Sequence, residues 1–289
     1  MDVRLHILVT LPFLLGLCLV TNMPSLLYIS IMANVLTAVG VGLLLYVVWE
    51  QTKDKEDPPI VAATMDPLHF AMFVGSTLYS INNVPLVQCC ERYMRDPRSM
   101  LALCGVLTRT IIVMAAALLV VGTVGYMRYG SDARPKIYYN FLPSTMMEAT
   151  EATFIVAWCL SYPINNFVMY DLIWELNLKG MMRGYPKSKQ TLASFGVRLA
   201  LVLISTTLAV ALPEFLVCEA FAHSLTVPLL VLGFPAMIEL CLLWEVGDYG
   251  RFHYALIRDL LMVAFALYCT VCGIVQTILA FATGEIDKF

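Results

Sequence analysis

The chain has 289 residues, of which 60% are hydrophobic and only 13% charged, with a formal net charge of −3 and a mean hydropathy of +0.79. A soluble domain carries about 25% charged residues and is about half apolar, so this composition excludes an ordinary water-soluble fold and points to a membrane protein. No Lys/Arg block offers a surface for nucleic acid.

A spanning helix needs about 20 apolar residues, and about eight stretches meet that ruler: 5–21, 26–49, 68–90, 101–127, 147–174, 192–212, 216–244 and 256–282. The connections are short and polar, as in Thr52-Lys-Asp-Lys-Glu-Asp-Pro-Pro59 and the basic loop 178–189. The first stretch follows only Arg4, contains Pro12 and lacks a small-residue cleavage site, so it reads as a helix and not as a signal peptide. All nine cysteines fall in apolar stretches and read as small hydrophobes, Cys269 and Cys272 included. Alternate loops share a side of the membrane, and one set holds Arg92, Arg95, Arg98, Lys179, Arg183, Lys187, Lys189, Arg198, Arg251 and Arg258. That set is expected to face the cytoplasm. Both chain ends then fall outside, which suggests helices in front of Met1.

The stretch from Gly75 to Pro97 carries the strongest functional signal. It breaks in its middle at Ser80-Ile-Asn82-Asn83-Val-Pro85 and leaves through Glu91-Arg92-Tyr-Met-Arg95-Asp96-Pro97. Two adjacent amides and a proline at bilayer depth are costly unless the backbone there lines a protein-walled cavity. Discontinuous helices of this kind build the substrate sites of secondary transporters.

From Gly75 to Pro97 the sequence G-S-T-L-Y-S-I-N-N-V-P-L-V-Q-C-C-E-R-Y-M-R-D-P also resembles the amino acid/auxin permease superfamily, and within it the proton-coupled amino acid transporters. Gly75, Glu91, Met94, Asp96 and Pro97 fall on that family's pattern without gaps, while Asn82-Asn83 stand where it has Glu-Gly. Gly122-Thr-Val-Gly-Tyr126 through Gly130 with Asn140-Phe-Leu-Pro143 is similar to a second family motif. Ser161-Tyr162-Pro-Ile-Asn165 leading to Tyr170-Asp171-Leu-Ile-Trp174 is similar to a third, and Pro235-Ala-Met-Ile-Glu239 to a fourth. The resemblance covers essentially the whole chain. It implies an all-α polytopic membrane protein with an eleven-helix, five-plus-five inverted-repeat fold, of which this single transmembrane domain, residues 1–289, supplies helices four to eleven without the first three. It further implies symport of small neutral amino acids with protons by alternating access, at the plasma membrane or on a lysosome-like organelle, the former being expected.

The candidate substrate-binding residues are Ser80, Asn82, Asn83 and Asn165. The amides at an unwound point can grip an ammonium and a carboxylate, and their alternative is hydrogen bonding between helices. Glu91, beside Arg92 and Arg95, is a candidate gate residue or an interfacial anchor. His223 lies deep in an apolar stretch, and histidine as a residue type titrates near physiological pH, which makes it a candidate for proton handling or a neutral packed histidine. Asp171 sits near a span end, where an interfacial charge is expected. No nucleophile elbow, zinc motif or phosphate loop suggests an enzyme, and no cofactor or metal is expected. The partners expected are amino acid, protons and the lipid bilayer. Two other readings stay open: a sensor or assembly partner that kept the bundle without transporting, and an inactive fragment of a transporter.

Overall fold

The computed structural model describes residues 3–20, 22–53, 58, 67–81, 84–130, 133–134, 137–211, 219–247 and 253–283. Among them, helices α1 Val3–Cys18, α2 Met23–Thr52, α3 Pro67–Ile81, α4 Val84–Tyr93 and α5 Val106–Tyr129 come first. Then follow α6 Thr145–Met181, α7 Lys187–Ala211, α8 Glu219–Glu245 and α9 Tyr254–Thr283. Helix underlies each of the eight apolar stretches. Six helices (α2, α5, α6, α7, α8 and α9) are long and apolar enough to cross a membrane. The 16 residues of α1 are fewer, and the 68–90 stretch is divided between α3 and α4. Leu103, Val113 and Leu119 are 96%, 68% and 68% exposed, which suits surfaces solvated by lipid.

Local chemistry sets several boundaries. Helix α5 begins at Val106 and not at 101, because Gly105 lies where a Cβ would stand 2.6 to 2.8 Å from the carbonyl oxygens of Ser99, Met100 and Ala102. A chain folded that tightly cannot be helical through 101–105. Ser144 caps α6 by accepting from Met147 N at 3.2 Å, which satisfies one of the orphan donors of the first turn. Helix α8 ends at Gly247, whose φ of 70° suits glycine and lets its N–H reach Leu243 O at 2.8 Å. Helix α6 runs through Pro163 and then opens into a π turn at Trp174–Leu178. Two more π turns interrupt α8 at Ala222–Thr226 and Leu229–Gly233. Such turns are rare and are frequent at functional sites.

Contacts group the chain into two compact units. The first comprises 1–58, 83–130 and 137–213, and the second 59–82, 131–136 and 214–289. In the first, α2 lies along α6, and Gly40 receives the Phe154 ring where a Cβ would stand at 3.1 Å. Leu44, Val47, Val48 and Phe141 form one core. Gln51 ties that end of α2 to the segment before α6 with two 2.9 Å bonds, donating to Leu142 O and accepting from Leu142 N. Leu26, Cys89, Ile164, Phe167, Val168, Tyr170 and Trp174 form the other core, which joins the start of α2 to α4 and α6. In the second unit, α9 packs against α3 and α8, and α3 packs against α8.

Candidate functional site

The second unit gathers the polar residues of three apolar helices. Within a π turn of α8, His223 places Nδ1 3.3 Å from Ser76 Oγ, and its ring lies 4.2 Å from the Tyr79 ring, tilted by 48°. Ser76 and Tyr79 belong to the last two turns of α3. Gly75 permits this approach, since a Cβ there would stand 2.7 Å from the His223 carbonyl oxygen. The next residue, Ser224, is 2% exposed and shares a 3.1 Å hydrogen bond with Thr277 of α9. Neighbouring Gln276 has its amide nitrogen 3.4 Å from His69 Nε2, and Tyr268 donates to Pro67 O at 2.9 Å. A seam of imidazoles, hydroxyls and an amide thus runs among α3, α8 and α9. Groups of that kind can accept, hold and pass a proton inside an otherwise apolar span.

In the first unit, α4 is anchored by charge. Arg92 Nη2 lies 2.8 Å from Asp171 Oδ2, and Tyr93 OH donates to Asp171 Oδ1 at 3.2 Å. Asp171 is 1% exposed, so it is not the interfacial charge its position suggests. A lone buried carboxylate is expensive, and Asp171 is tolerated because α4 brings a cation and a hydroxyl to it. Arg198 also departs from expectation. It lies inside α7 and is 5% exposed, not a loop residue. Its guanidinium carbon lies 3.7 Å from the Tyr170 ring centroid and 5.5 Å from that of Phe167.

The residues singled out by sequence are placed as follows. Ser80 is exposed in the last turn of α3, and its hydroxyl donates to Ser76 O at 2.9 Å. Asn165 is exposed on α6 and donates to Ser161 O at 3.3 Å, while its neighbour Asn166 is buried. Ser80 belongs to the second unit and Asn165 to the first. Asn82 and Asn83 lie outside the described residues. Glu91 is half-buried on α4, and among the described residues Arg92 pairs with Asp171 rather than with Glu91. Sequence reasoning ranked Asp171 and Arg198 too low. The signal that finds them is an ionisable residue inside a spanning-length apolar helix with an opposite charge or aromatic face on a neighbour.

Helix without strand among the described residues, with six helices long and apolar enough to cross a membrane, defines a polytopic α-helical membrane protein. The sequence matches the family described as transmembrane amino acid transporter protein over residues 1–279. The chain belongs to that family. It is 26% identical over 275 residues to the proton-coupled amino acid transporter-like protein pathetic of Drosophila melanogaster, a match covering 94% of this chain and 55% of that protein. It is 21% identical over 274 residues to the probable amino acid transporter skat-1 of Caenorhabditis elegans, covering 93% of this chain and 59% of that protein. The chain therefore spans somewhat over half the length of these relatives. No solved structure matches at a significant level.

Proposed function

We propose that the chain serves the transport of small neutral amino acids across a membrane, coupled to protons, with its two compact units acting as parts of one transport domain. The observation that carries this reading is the His223 π turn seated against Gly75, Ser76 and Tyr79 at the end of the interrupted helix. It sets an imidazole, a side chain able to take up and release a proton, at the end of α3 that leads to the segment expected to grip substrate. Family membership and the names of the two relatives support amino acid transport, and one of those names supports protons. The candidate contact residues Ser80, Asn82, Asn83 and Asn165 are all uncharged. They suit a zwitterion's ammonium and carboxylate and offer no counter-charge to an ionised side chain. Coupling by alternating access then means that proton and amino acid each bind one state of the bundle more tightly than the other.

The test is uptake of labelled small neutral amino acids into proteoliposomes with an imposed pH gradient. The chain should accumulate substrate when the outside is acid, and His223→Gln should retain substrate binding while its accumulation no longer follows the gradient. Gradient-driven accumulation that is unaltered in His223→Gln refutes proton handling at this residue. A second reading is favoured by one feature: where the resembling family has a glutamate, the break carries Asn82, which cannot titrate. On that reading the chain binds amino acid and reports it without moving it. Thermal stabilisation of the purified chain by an amino acid, with no flux in the same vesicles, separates it from the first. The plasma membrane is the proposed location, checked by surface biotinylation against a lysosomal marker.

A further inference from the structure

Arg198 is a buried cation to which the described part of the protein supplies no carboxylate. Its charge is permanent, its side chain is inside a spanning helix, and its Nε is buried without a hydrogen-bond partner. What it has is one long bond from Nη1 to Val20 O, 3.4 Å, and the faces of Tyr170 and Phe167. Aromatic faces offset part of the cost of removing a guanidinium from water, but they do not neutralise it. The carboxylates nearby on α6 are both committed. Asp171 is held by Arg92 at 2.8 Å, and the more exposed Glu175 by Lys179 at 2.6 Å.

Arg198 lines a cleft of about 540 Å³, together with Tyr93, Phe167, Tyr170, Glu175 and the start of α2, from the N-cap residue Asn22 to Ser25. That end of α2 is an open helix start. Asn22 has extended backbone angles and makes no side-chain cap bond, and Pro24 contributes no N–H. The amides of the first turn therefore lack the side-chain acceptor that usually satisfies them, and the positive end of a 30-residue helix looks into the same space as Arg198. The two features are independent in sequence, on α2 and α7, and both ask for negative charge.

We propose that this cleft binds an oxyanion, a carboxylate or a phosphate group, held by the Arg198 guanidinium and the first turn of α2. A guanidinium fork matches two oxygens of either group, and its planar face stays stacked on Tyr170 while its edge donates. The cleft is roomy enough for a group carried on a larger molecule, so the oxyanion comes either from a small solute or from the headgroup of an anionic lipid. Neither source depends on the transport reading, because the site is built wholly within the first unit and lies outside the His223 seam.

The experiment is the thermal unfolding midpoint of the full chain purified in detergent with phosphatidylcholine. Midpoints are compared in chloride alone, in acetate or inorganic phosphate at the same ionic strength, and with phosphatidylglycerol in place of part of the phosphatidylcholine. An oxyanion raises the midpoint of the wild type by several degrees with a saturable dependence, and Arg198→Gln abolishes the rise. Response to the soluble anions identifies a small-solute site; response to phosphatidylglycerol alone identifies a lipid headgroup site. Glu175→Gln, which removes a negative charge from the cleft wall and leaves Arg198 in place, lowers the half-saturating concentration several-fold. No response to any of the three probes overturns the proposal, as does an equal response in Arg198→Gln. An unchanged or higher half-saturating concentration in Glu175→Gln also overturns it, and that variant decides the matter should Arg198→Gln fail to fold.

Discussion

The ion pair behind the break is lopsided, and that asymmetry makes a quantitative prediction. The Arg92 side chain is 42% exposed, whereas that of Asp171 is 2% exposed. Removing the cation, as in Arg92→Gln, strands a desolvated carboxylate with the Tyr93 hydroxyl at 3.2 Å and the neighbouring Cys89 thiol, both neutral donors. Breaking a fully buried pair by deleting one partner costs about 3 to 5 kcal/mol. Since Arg92 is half in solvent, its share of the attraction is screened, and about 2 to 3 kcal/mol is expected here. Removing the anion is milder: in Asp171→Asn the arginine turns outward and the amide keeps the shape and one hydrogen bond, for a cost of about 1 kcal/mol or less. At 1.36 kcal/mol per decade, the first change shifts the folded–unfolded equilibrium roughly 30- to 150-fold and the second less than about tenfold. The double variant should recover most of the loss, because it strands no charge. Reversible unfolding in mixed detergent micelles, followed by tryptophan fluorescence, measures all three. If Asp171→Asn is as damaging as Arg92→Gln, or if the double variant loses the sum of the singles, the stranded-charge reasoning is refuted.

Three further outcomes follow from the same coordinates and sequence. Gly75→Ala forces its Cβ to 2.7 Å from a backbone oxygen, whereas Gly122→Ala meets nothing within 4 Å. The first should destabilise by about 1 to 3 kcal/mol and suppress uptake, and the second should be neutral or stabilise by about 0.5 to 1 kcal/mol. Equal thermal midpoints for the two would contradict the close α3–α8 approach. Asn82→Ala should reduce amino acid uptake at normal surface expression, and unchanged uptake at equal protein level removes Asn82 from the site. Gln51→Leu deletes both bonds to Leu142, so a loss of about 1 to 2 kcal/mol is expected, with a shift within error showing that water replaces them freely.

Much of the helical framework is legible in the sequence, because a run of about 20 apolar residues has few alternatives. Asn82-Asn83 and Pro85 fall where the 68–90 stretch is divided between α3 and α4, with residues 82–83 themselves outside the described residues. The start of α5 was not legible. Residues 101–105 are as apolar as a helix, and only the carbonyls crowding Gly105 end the ambiguity. Burial of Asp171 and Arg198 was hidden for a different reason. A charge near a span end usually snorkels to water, and whether it turns inward depends on what neighbouring helices offer. For Asp171 the offer comes from Arg92 and Tyr93, and for Arg198 from Tyr170 and Phe167. None of these pairings has a sequence spacing that announces it. His223 was visible as an oddity, but its partners Ser76 and Tyr79, 147 and 144 positions earlier, were not.

The π turns explain why that pairing is not legible in the sequence and why it bears on the proposed function. An ordinary helix advances about 100° per residue, so a face can be read by counting. The π turns at Ala222–Thr226 and Leu229–Gly233 break the count. In the first of them, consecutive residues are received by glycines of two different helices. The His223 carbonyl fills the recess at Gly75 of α3, and the Ser224 side chain fills that at Gly273 of α9, where a Cβ would stand 2.9 Å away. Any shift of this turn therefore alters the Ser76–His223 and Ser224–Thr277 contacts together. A proton arriving at His223 changes the charge of the residue that holds one of those contacts. On the proposed proton-coupled reading, this turn is the place in the second unit where a protonation event and a change in helix packing would be the same event.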